Sequence, residues 1–204
     1  MPSRIDPVPR EDLAEHDGLF TAYEQIMGFV PQTVLTMARV PGLMESHAST
    51  ALAAAMNGLI TPELAQMCGH LSSAAAGCRY CQAHTIAHAE HLGIHPDKLA
   101  DLWTYQTSNH FTDAERAALT LAFHTGQHPN AVTDTHIDNC RTHYTDDQIT
   151  AIVAVCSLFG FLNRWNDTLA TTLEPTPTAA AGRHLGEQGW TPGKHATDTQ
   201  ENEQ

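Results

Sequence analysis

The feature that most constrains the fold of this chain is a series of helix start signals spread along its length. Thr61-Pro62-Glu63 supplies an N-cap residue, a proline at the first helical position and an early carboxylate. Two further segments, 112–115 and 145–148, carry the Thr-x-x-Glu/Gln pattern of a capping box. Apolar residues recur at helical spacing, and no segment shows sustained alternation of β-branched residues. The sequence therefore predicts an all-α, multi-helix bundle.

Glycines and prolines separate the predicted helices. We expect helices at 10–27, 32–38, 42–57, 62–76, 78–92, 96–106, 113–126, 132–143 and 146–172, the last with a break near Gly160. Helices that start at Thr61 and Thr145 lead at the same spacing to Cys78 and Leu162. An internal duplication of a helical hairpin and a chance similarity both remain open.

The C-terminal part of the chain differs in composition from the rest. From about Pro175 it is polar and rich in Pro, Thr, Ala and Gly. We therefore expect one helical domain over 1–174 and a polar, partly disordered tail over 175–204. Within that tail, Trp190, Lys194 and His195 either form one anchored patch or are exposed.

Charge and length exclude several classes of function. The net charge of −13, from 10 basic and 23 acidic residues, argues against nucleic-acid binding and against docking on anionic lipid. No apolar run reaches the roughly 18 residues of a membrane span. The N-terminus lacks the apolar core of a signal peptide, so we expect a cytoplasmic location.

The five cysteines fall into two classes. Cys68, Cys140 and Cys156 stand among apolar or helical neighbours and are predicted to be free and buried. Cys78 and Cys81 form a CxxC pair within Gly-Cys-Arg-Tyr-Cys-Gln-Ala-His. In a reducing compartment such a pair is typical of redox catalysis or metal binding rather than of a structural disulfide.

The residues around the pair favour redox chemistry. Gly77 suits a helix boundary, so both thiols are expected in a first helical turn, where backbone N–H groups favour a thiolate. His84 lies one turn beyond Cys81, and His88 extends the same face. A thiolate that attacks a hydroperoxide becomes a sulfenic acid, which the second thiol converts to a disulfide, and a dithiol reductant then restores the pair. A structural zinc site made by Cys78, Cys81, His84 and His88 is disfavoured, because one helix cannot easily aim four side chains at one ion.

Gly-Cys-Arg-Tyr-Cys-Gln-Ala-His-Thr, preceded by a helix of small residues, resembles the core of the AhpD-like carboxymuconolactone decarboxylase superfamily. Gly-Phe-Leu-Asn-Arg-Trp-Asn-Asp-Thr at 160–168 resembles its peroxidase-related branch. The resemblance, over roughly 20–172, implies an all-helical alkylhydroperoxidase in which Cys81 attacks the peroxide, Cys78 resolves it and His84 joins a proton relay. It also implies a homo-oligomer that, in some members, is reduced by lipoyl-bearing partners. No cofactor and no metal are expected.

The chain departs from the family pattern at positions that matter for proton transfer. Family peroxidases carry a Glu about twelve residues before the first Cys, where this chain has Gln66, and an amide cannot act as a base. Glu63 and His70 lie on the same helical face and are the alternative candidates. The family histidine usually stands four residues after the second Cys, where this chain has Thr85.

Other interpretations remain beside hydroperoxide reduction. Asn163, Asn166 and Asp167 form either a solvated helix face or a polar cluster that borders the thiol pocket or a subunit interface. The alternative functions are a thiol–disulfide oxidoreductase without peroxidase turnover, a structural or metal-binding oligomer, and a cofactor-free enzyme for a small organic acid.

Overall fold

The computed structural model describes residues 3–197, and this part of the chain contains ten α-helices and no strand. The helices are α1 (Asp17–Met27), α2 (Gln32–Met37), α3 (Leu43–Ala55), α4 (Pro62–Ala76), α5 (Arg79–His91), α6 (Pro96–Ala100), α7 (Asp113–Gly126), α8 (Asp134–Arg141), α9 (Asp146–Leu169) and α10 (Pro175–Leu185). Short 3₁₀ turns lie at Arg10–His16, Asp101–Thr104, Gly186–Gln188 and Gly193–His195. The prediction of an all-α fold is confirmed.

The predicted helix start signals form the expected caps. Thr61 Oγ1 accepts a hydrogen bond from the Leu64 N–H at 3.2 Å, with Pro62 in the first turn. Thr112 and Thr145 each complete a capping box, with Glu115 and Gln148 respectively. These bonds satisfy N–H groups that a helix start otherwise leaves unpaired, which is why the boundaries could be predicted locally.

The helix α4 lies at the centre of the bundle and packs against α5, α7 and α9. Its buried Leu71 belongs to the main core together with Leu119 of α7 and Ile152 of α9. A second, smaller core around Phe20, Met37 and others joins α1, α2 and α3 and contacts one side of α9. The thiol turn between α4 and α5 is therefore held by the most deeply buried helix of the fold.

The helix α9 differs from the prediction in two ways. It continues through Gly160 without a break, so Leu162 lies inside a helix whereas Cys78 starts one, and the second hairpin of the proposed duplication does not form. Its length and composition would also suffice for a membrane span, contrary to the sequence-based expectation. It packs against α3, α4, α5 and α7, as the core helix of a bundle does.

The C-terminal segment also differs from the prediction over 175–197. Pro175 starts α10, which packs against α5, and Arg183 of α10 pairs with Glu90 of α5 at 2.7 Å. Trp190 and His195 are buried, at 9% and 0% exposure. Despite its polar composition, the segment forms a short helix with one buried face. Because this face packs against α5, the segment is part of the domain. Residues 198–204 of the predicted tail lie outside the described residues.

Candidate active site

A tight turn brings the two thiols to the start of α5. The helix α4 ends at Gly77, whose φ of +77° lies in the left-handed region that favours glycine. Cys78 is the N-cap of α5, and its Sγ accepts a hydrogen bond from the Cys81 N–H at 3.5 Å. Both thiols are free and buried, at 0% and 2% exposure. The structure thus places both thiols in one helix start, as the sequence predicted.

The two thiols differ in acidity and in access. A hydrogen bond from the Cys81 side chain lowers the pKa of Cys78 in spite of burial. Burial raises the pKa of Cys81 well above its ordinary value, and the neighbouring Cys78 adds to this. Cys81 nevertheless lines a pocket, and Cys78 is not among the lining residues. A substrate in the pocket would therefore meet Cys81, with Cys78 behind it.

The pocket has a volume of about 420 Å³ and a largely apolar lining. The helices α1, α3, α4, α5 and α9 and the α2 segment contribute to it, with apolar side chains that include Leu19, Ile26, Val34, Leu52, Phe159 and Leu162. Its polar lining near Cys81 includes Gln66, His84 and Asn166. An apolar pocket with a few polar groups is typical of a site for a small organic molecule.

Glu174, at the N-cap of α10, connects the pocket-lining Tyr80 and His84 with Gln32 at the start of α2. Its Oε1 accepts hydrogen bonds from the Tyr80 hydroxyl at 2.9 Å and from the Gln32 N–H at 2.6 Å, and its Oε2 pairs with His84 Nε2 at 2.7 Å. Burial opposes ionisation of Glu174, but the charge and hydrogen bond of His84 outweigh it and hold the pKa of this carboxyl below its ordinary value. The His84 ring also stacks on Tyr80, with centroids 4.2 Å apart. The His84–Glu174 pair can hold and transfer a proton beside the pocket.

Asn166 contacts the thiol that faces the pocket. Its Nδ2 donates to Cys81 Sγ at 3.6 Å, and its Oδ1 accepts a hydrogen bond from Thr33 Oγ1. With the Thr33 hydroxyl donating to Oδ1, the NH₂ group of the amide is the one directed at sulfur. This donor favours a thiolate on Cys81 and partly offsets the effect of burial. Of the predicted polar cluster, the structure brings Asn166 to Cys81, whereas the buried amide of Asn163 has no hydrogen-bond partner among the described residues.

Gln66 and the two alternative bases on α4, Glu63 and His70, take different places. Gln66 lines the pocket and is 8% exposed, whereas Glu63, in the first turn of α4, is not a lining residue. His70 is buried, with Nδ1 3.0 Å from Thr85 Oγ1, and Thr85 donates to the Cys81 carbonyl at 2.9 Å. Burial lowers the pKa of His70 to about 4, so this ring is neutral and supports the first turn of α5.

Sequence reasoning missed Glu174 and treated His195 only as part of a patch in the tail. Glu174 is 90 residues from His84 in the chain, and no local pattern marks the contact. A ring nitrogen of His195, Cys78 Sγ and a carboxylate oxygen of Asp167 lie within 4.8 Å of one another. The buried Trp190 is the sequence signal that could have indicated an anchored segment.

The zinc site considered from the sequence is not assembled over residues 3–197. The one group of potential metal-binding side chains found in this range is Cys78, Asp167 and His195. The Asp167 carboxylate already pairs with Lys194 Nζ at 2.7 Å. Structural zinc sites use four protein ligands, so this group does not fit one.

The other cysteines are free and buried, as predicted. Burial raises the pKa of Cys156 to about 12 and that of Cys140 to about 11, and it raises the pKa of Cys68 well above its ordinary value. These thiols are therefore protonated at neutral pH and act as small apolar side chains.

Comparison with protein families supports the resemblance noted in the sequence. The family model described as the carboxymuconolactone decarboxylase family matches residues 41–123. These residues include α4, the thiol turn and α5. A search of curated protein sequences finds no match.

Solved structures with the same architecture are also found. The apo structure of the debrominase Bmp8 is 31% identical, with a TM-score of 0.83 over 88% of this chain and 96% of that one. A cysteine-to-alanine variant of Bmp8 in complex with 2,3,4-tribromopyrrole has a TM-score of 0.82. The AhpD core of an uncharacterised peroxidase-related protein from Ralstonia eutropha JMP134 is 23% identical, with a TM-score of 0.75 over 87% of this chain and 95% of that one. The last of these likenesses concerns the fold alone.

Proposed function

Because the chain belongs to the carboxymuconolactone decarboxylase family and has the AhpD-like helical fold, we propose that it is a dithiol-dependent reductase of an apolar organic hydroperoxide. The observation that carries the proposal is the position of Cys81 on the wall of an apolar pocket, with Cys78 in the same helix start. In this reaction the hydroperoxide becomes an alcohol, and Cys78 and Cys81 become a disulfide.

The first step takes place at Cys81. Its sulfur attacks the distal oxygen of the hydroperoxide, the O–O bond breaks, and Cys81 becomes a sulfenic acid. The leaving alkoxide needs a proton, which the His84–Glu174 pair at the pocket wall is placed to supply. Asn166 donates to the sulfur and stabilises the attacking thiolate. The absence of a carboxylate at Gln66 is thereby compensated by Glu174, which comes from a different helix.

The second step joins the two thiols. Cys78 attacks the sulfur of Cys81, water leaves, and a dithiol reductant restores the pair by exchange. We propose that the reductant is a lipoyl-bearing protein and that the protein acts as a homo-oligomer in a reducing cytoplasm. Leu52 and Met56 support the homo-oligomer, because both line the pocket and are 51% and 55% exposed. Burial of these side chains against a second copy would be favourable.

Reductive removal of halogen from an aromatic ring is the second candidate. It is supported by the 31% identity to a debrominase and by a pocket that is apolar and large enough for an aromatic ring. In this reaction the Cys81 thiolate takes the halogen and the ring carbon takes a proton. Cys78 then displaces halide from the Cys81 sulfur and forms the same disulfide.

Counting thiols after one equivalent of substrate tests both candidates. Reduced protein is treated anaerobically with cumene hydroperoxide or with a brominated pyrrole, and free thiols, alcohol and bromide are measured. We expect cumene hydroperoxide to remove two thiols per chain and to yield one alcohol, and Cys81→Ser to abolish both changes. Cys140→Ser, which changes a buried thiol away from the pocket, is the matched control and should react like the wild type.

The remaining outcomes distinguish the candidate functions from one another or exclude both of them. Loss of two thiols and release of bromide only with the brominated pyrrole would favour dehalogenation. An unchanged thiol count with both substrates would contradict both candidates. Exchange with a model disulfide under those conditions would then favour a thiol–disulfide oxidoreductase.

A further inference from the structure

We propose that His195, from the 3₁₀ turn that follows α10, is the base that accepts the Cys78 proton when the disulfide forms. This role rests on the proposed dithiol function. His195 is completely buried, at 0% exposure, and its Nδ1 lies 2.8 Å from the Thr171 carbonyl oxygen. A carbonyl only accepts, so Nδ1 carries the hydrogen and Nε2 of the neutral ring carries a lone pair. Nε2 has no hydrogen-bond partner in the described part of the chain.

The imidazole of His195 lies beside the thiol that the pocket does not reach. A ring nitrogen of His195 lies within 4.8 Å of Cys78 Sγ, and Nε2, the nitrogen that the Thr171 carbonyl leaves available, lies 3.7 Å from Asp167 Oδ1. A buried acceptor without a partner costs free energy, so its retention is explained if a proton reaches it during the reaction. His84, by contrast, lines the pocket, and Glu174 pairs with it. The two histidines therefore serve two different proton transfers.

The surroundings of His195 suit a base that is charged only transiently. Burial lowers the pKa of His195, so the ring is neutral and ready to accept a proton near pH 7. Asp167 opposes this effect and would stabilise the imidazolium, while Lys194 pairs with the other oxygen of Asp167 at 2.7 Å. Tyr80, whose ring centroid is 5.8 Å away, keeps its proton because burial raises the pKa of the phenol.

Proton transfer from Cys78 to His195 accompanies formation of the S–S bond. The Cys78 S–H proton moves to His195 Nε2, and the freed electron pair forms the S–S bond with Cys81. The S–O bond of the Cys81 sulfenic acid breaks, and the hydroxide takes a proton from the pocket side and leaves as water. The hydroperoxide is the oxidant, and the dithiol loses two electrons. Asp167, whose side chain is 44% exposed, gives the imidazolium proton a path to solvent.

The test separates the two steps in time. Reduced protein is mixed with hydrogen peroxide as the probe, and quenched samples are assayed for Cys81 sulfenic acid and for the disulfide between pH 5 and 9. His195→Asn retains an amide donor for the Thr171 carbonyl and removes Nε2. We expect the rate of Cys81 oxidation to be unchanged and disulfide formation to slow by about 100-fold, the lower range for loss of a general base. The matched control His184→Asn changes another buried histidine of this segment and should behave like the wild type.

Several results would overturn the role of His195. One is an equal rate and pH profile of disulfide formation in His195→Asn and the wild type. If His195→Asn does not fold, Asp167→Asn replaces it, with an expected slowing of about 10-fold from loss of the charge beside the imidazolium. No slowing in Asp167→Asn would contradict the proposal, as would stoichiometric zinc bound by the wild type and lost in these variants. A wild type that never forms the Cys78–Cys81 disulfide would instead refute the proposed function itself.

Discussion

Cys78 and Cys81 are three residues apart and have different surroundings at the scale of single side chains. Cys81 lines the pocket and accepts a hydrogen bond from Asn166. Cys78 caps α5 and lies beside Asp167 and His195. The CxxC spacing identifies the pair, but the neighbours of each sulfur decide which thiol meets a substrate and which one completes the disulfide.

Asn166→Ala should slow the reaction of Cys81. The substitution removes the Nδ2 donor to the sulfur, and one hydrogen bond to a charged group contributes about 1.5–3 kcal/mol. We therefore expect alkylation of Cys81 at pH 7 to fall by at least about 10-fold, as measured by mass spectrometry of iodoacetamide-treated protein. Asn163→Ala, one turn earlier in α9, is the control and should keep the wild-type rate. Equal rates in Asn166→Ala and the wild type would show that this hydrogen bond does not stabilise the thiolate.

At the scale of helices, close packing at α4 holds the thiol turn in place. Gly126 of α7 lies so close to α4 that an added Cβ would be 2.3 Å from the Ser72 carbonyl oxygen. The obstacle is backbone, which cannot rotate away as a side chain can. At the other end of the site, Glu174 joins α10 to α5 and to the start of α2 through buried hydrogen bonds. The site thus depends on contacts between helices that are distant in sequence.

Gly126→Ala should destabilise the fold. The added methyl forces α7 away from α4, and overpacking of this kind costs about 1–3 kcal/mol. The measurement is the free energy of unfolding in urea. Gly182→Ala, in α10, is the matched control, because its Cβ would meet nothing within 4 Å. We expect this control to gain about 0.5–1 kcal/mol from helix propensity, and a similar gain in Gly126→Ala would contradict the close approach.

Glu174→Gln should change how stability depends on pH. Because the folded-state pKa of Glu174 is depressed, its contribution is fully present above the ordinary carboxyl pKa of about 4.3 and is lost as the pH falls through the folded-state value. We expect the variant to be less stable by about 2 kcal/mol at pH 7, and the difference to shrink below about pH 4. Urea unfolding at several pH values measures this. Glu63→Gln should stay within about 0.5 kcal/mol of wild type, and a constant difference for Glu174→Gln down to pH 2 would argue against an ionised Glu174.

At the scale of the whole molecule, the segment after α9 completes the core instead of leaving it. The helix α10 packs against α5, and Trp190 belongs to the main buried cluster. The same segment carries His195 to Cys78 and Glu174 to His84. Docking of this segment therefore couples global stability to the environment of both thiols.

Trp190→Ala should loosen that docking. Loss of a buried Trp side chain typically costs about 3–5 kcal/mol, so we expect a clear fall in the thermal midpoint and faster alkylation of Cys78. Calorimetry and peptide mass spectrometry measure the two effects. Trp103→Ala is the matched control, since Trp103 is 58% exposed and its loss should change stability by about 0.5 kcal/mol or less. A Trp190→Ala variant as stable as the wild type would mean that the segment is not part of the cooperative unit.

Much of the fold could be predicted. The helices expected at 10–27 and 96–106 each consist of an α-helix and a 3₁₀ turn, and larger differences occur near Gly160 and after Pro175. The break expected near Gly160 does not form, because a glycine inside a helix costs only about 1 kcal/mol and packing of α9 against its neighbours outweighs it. The tail expected from Pro175 is helical over 175–185, because a buried face that includes Ala180, Ala181 and Leu185 packs against α5. The composition of this segment alone could not indicate that α5 provides a surface for it to pack against.

The sequence by itself determined the helix starts at Thr61, Thr112 and Thr145 and the placement of both thiols in one turn. These features depend on hydrogen bonds that span a turn or less, so the residues involved are adjacent in the chain. Only the tertiary structure decided that Glu174 meets His84 and that His195 faces Cys78. Those contacts depend on which helices pack together, and that choice is the sum of many weak apolar contacts distributed over the whole molecule.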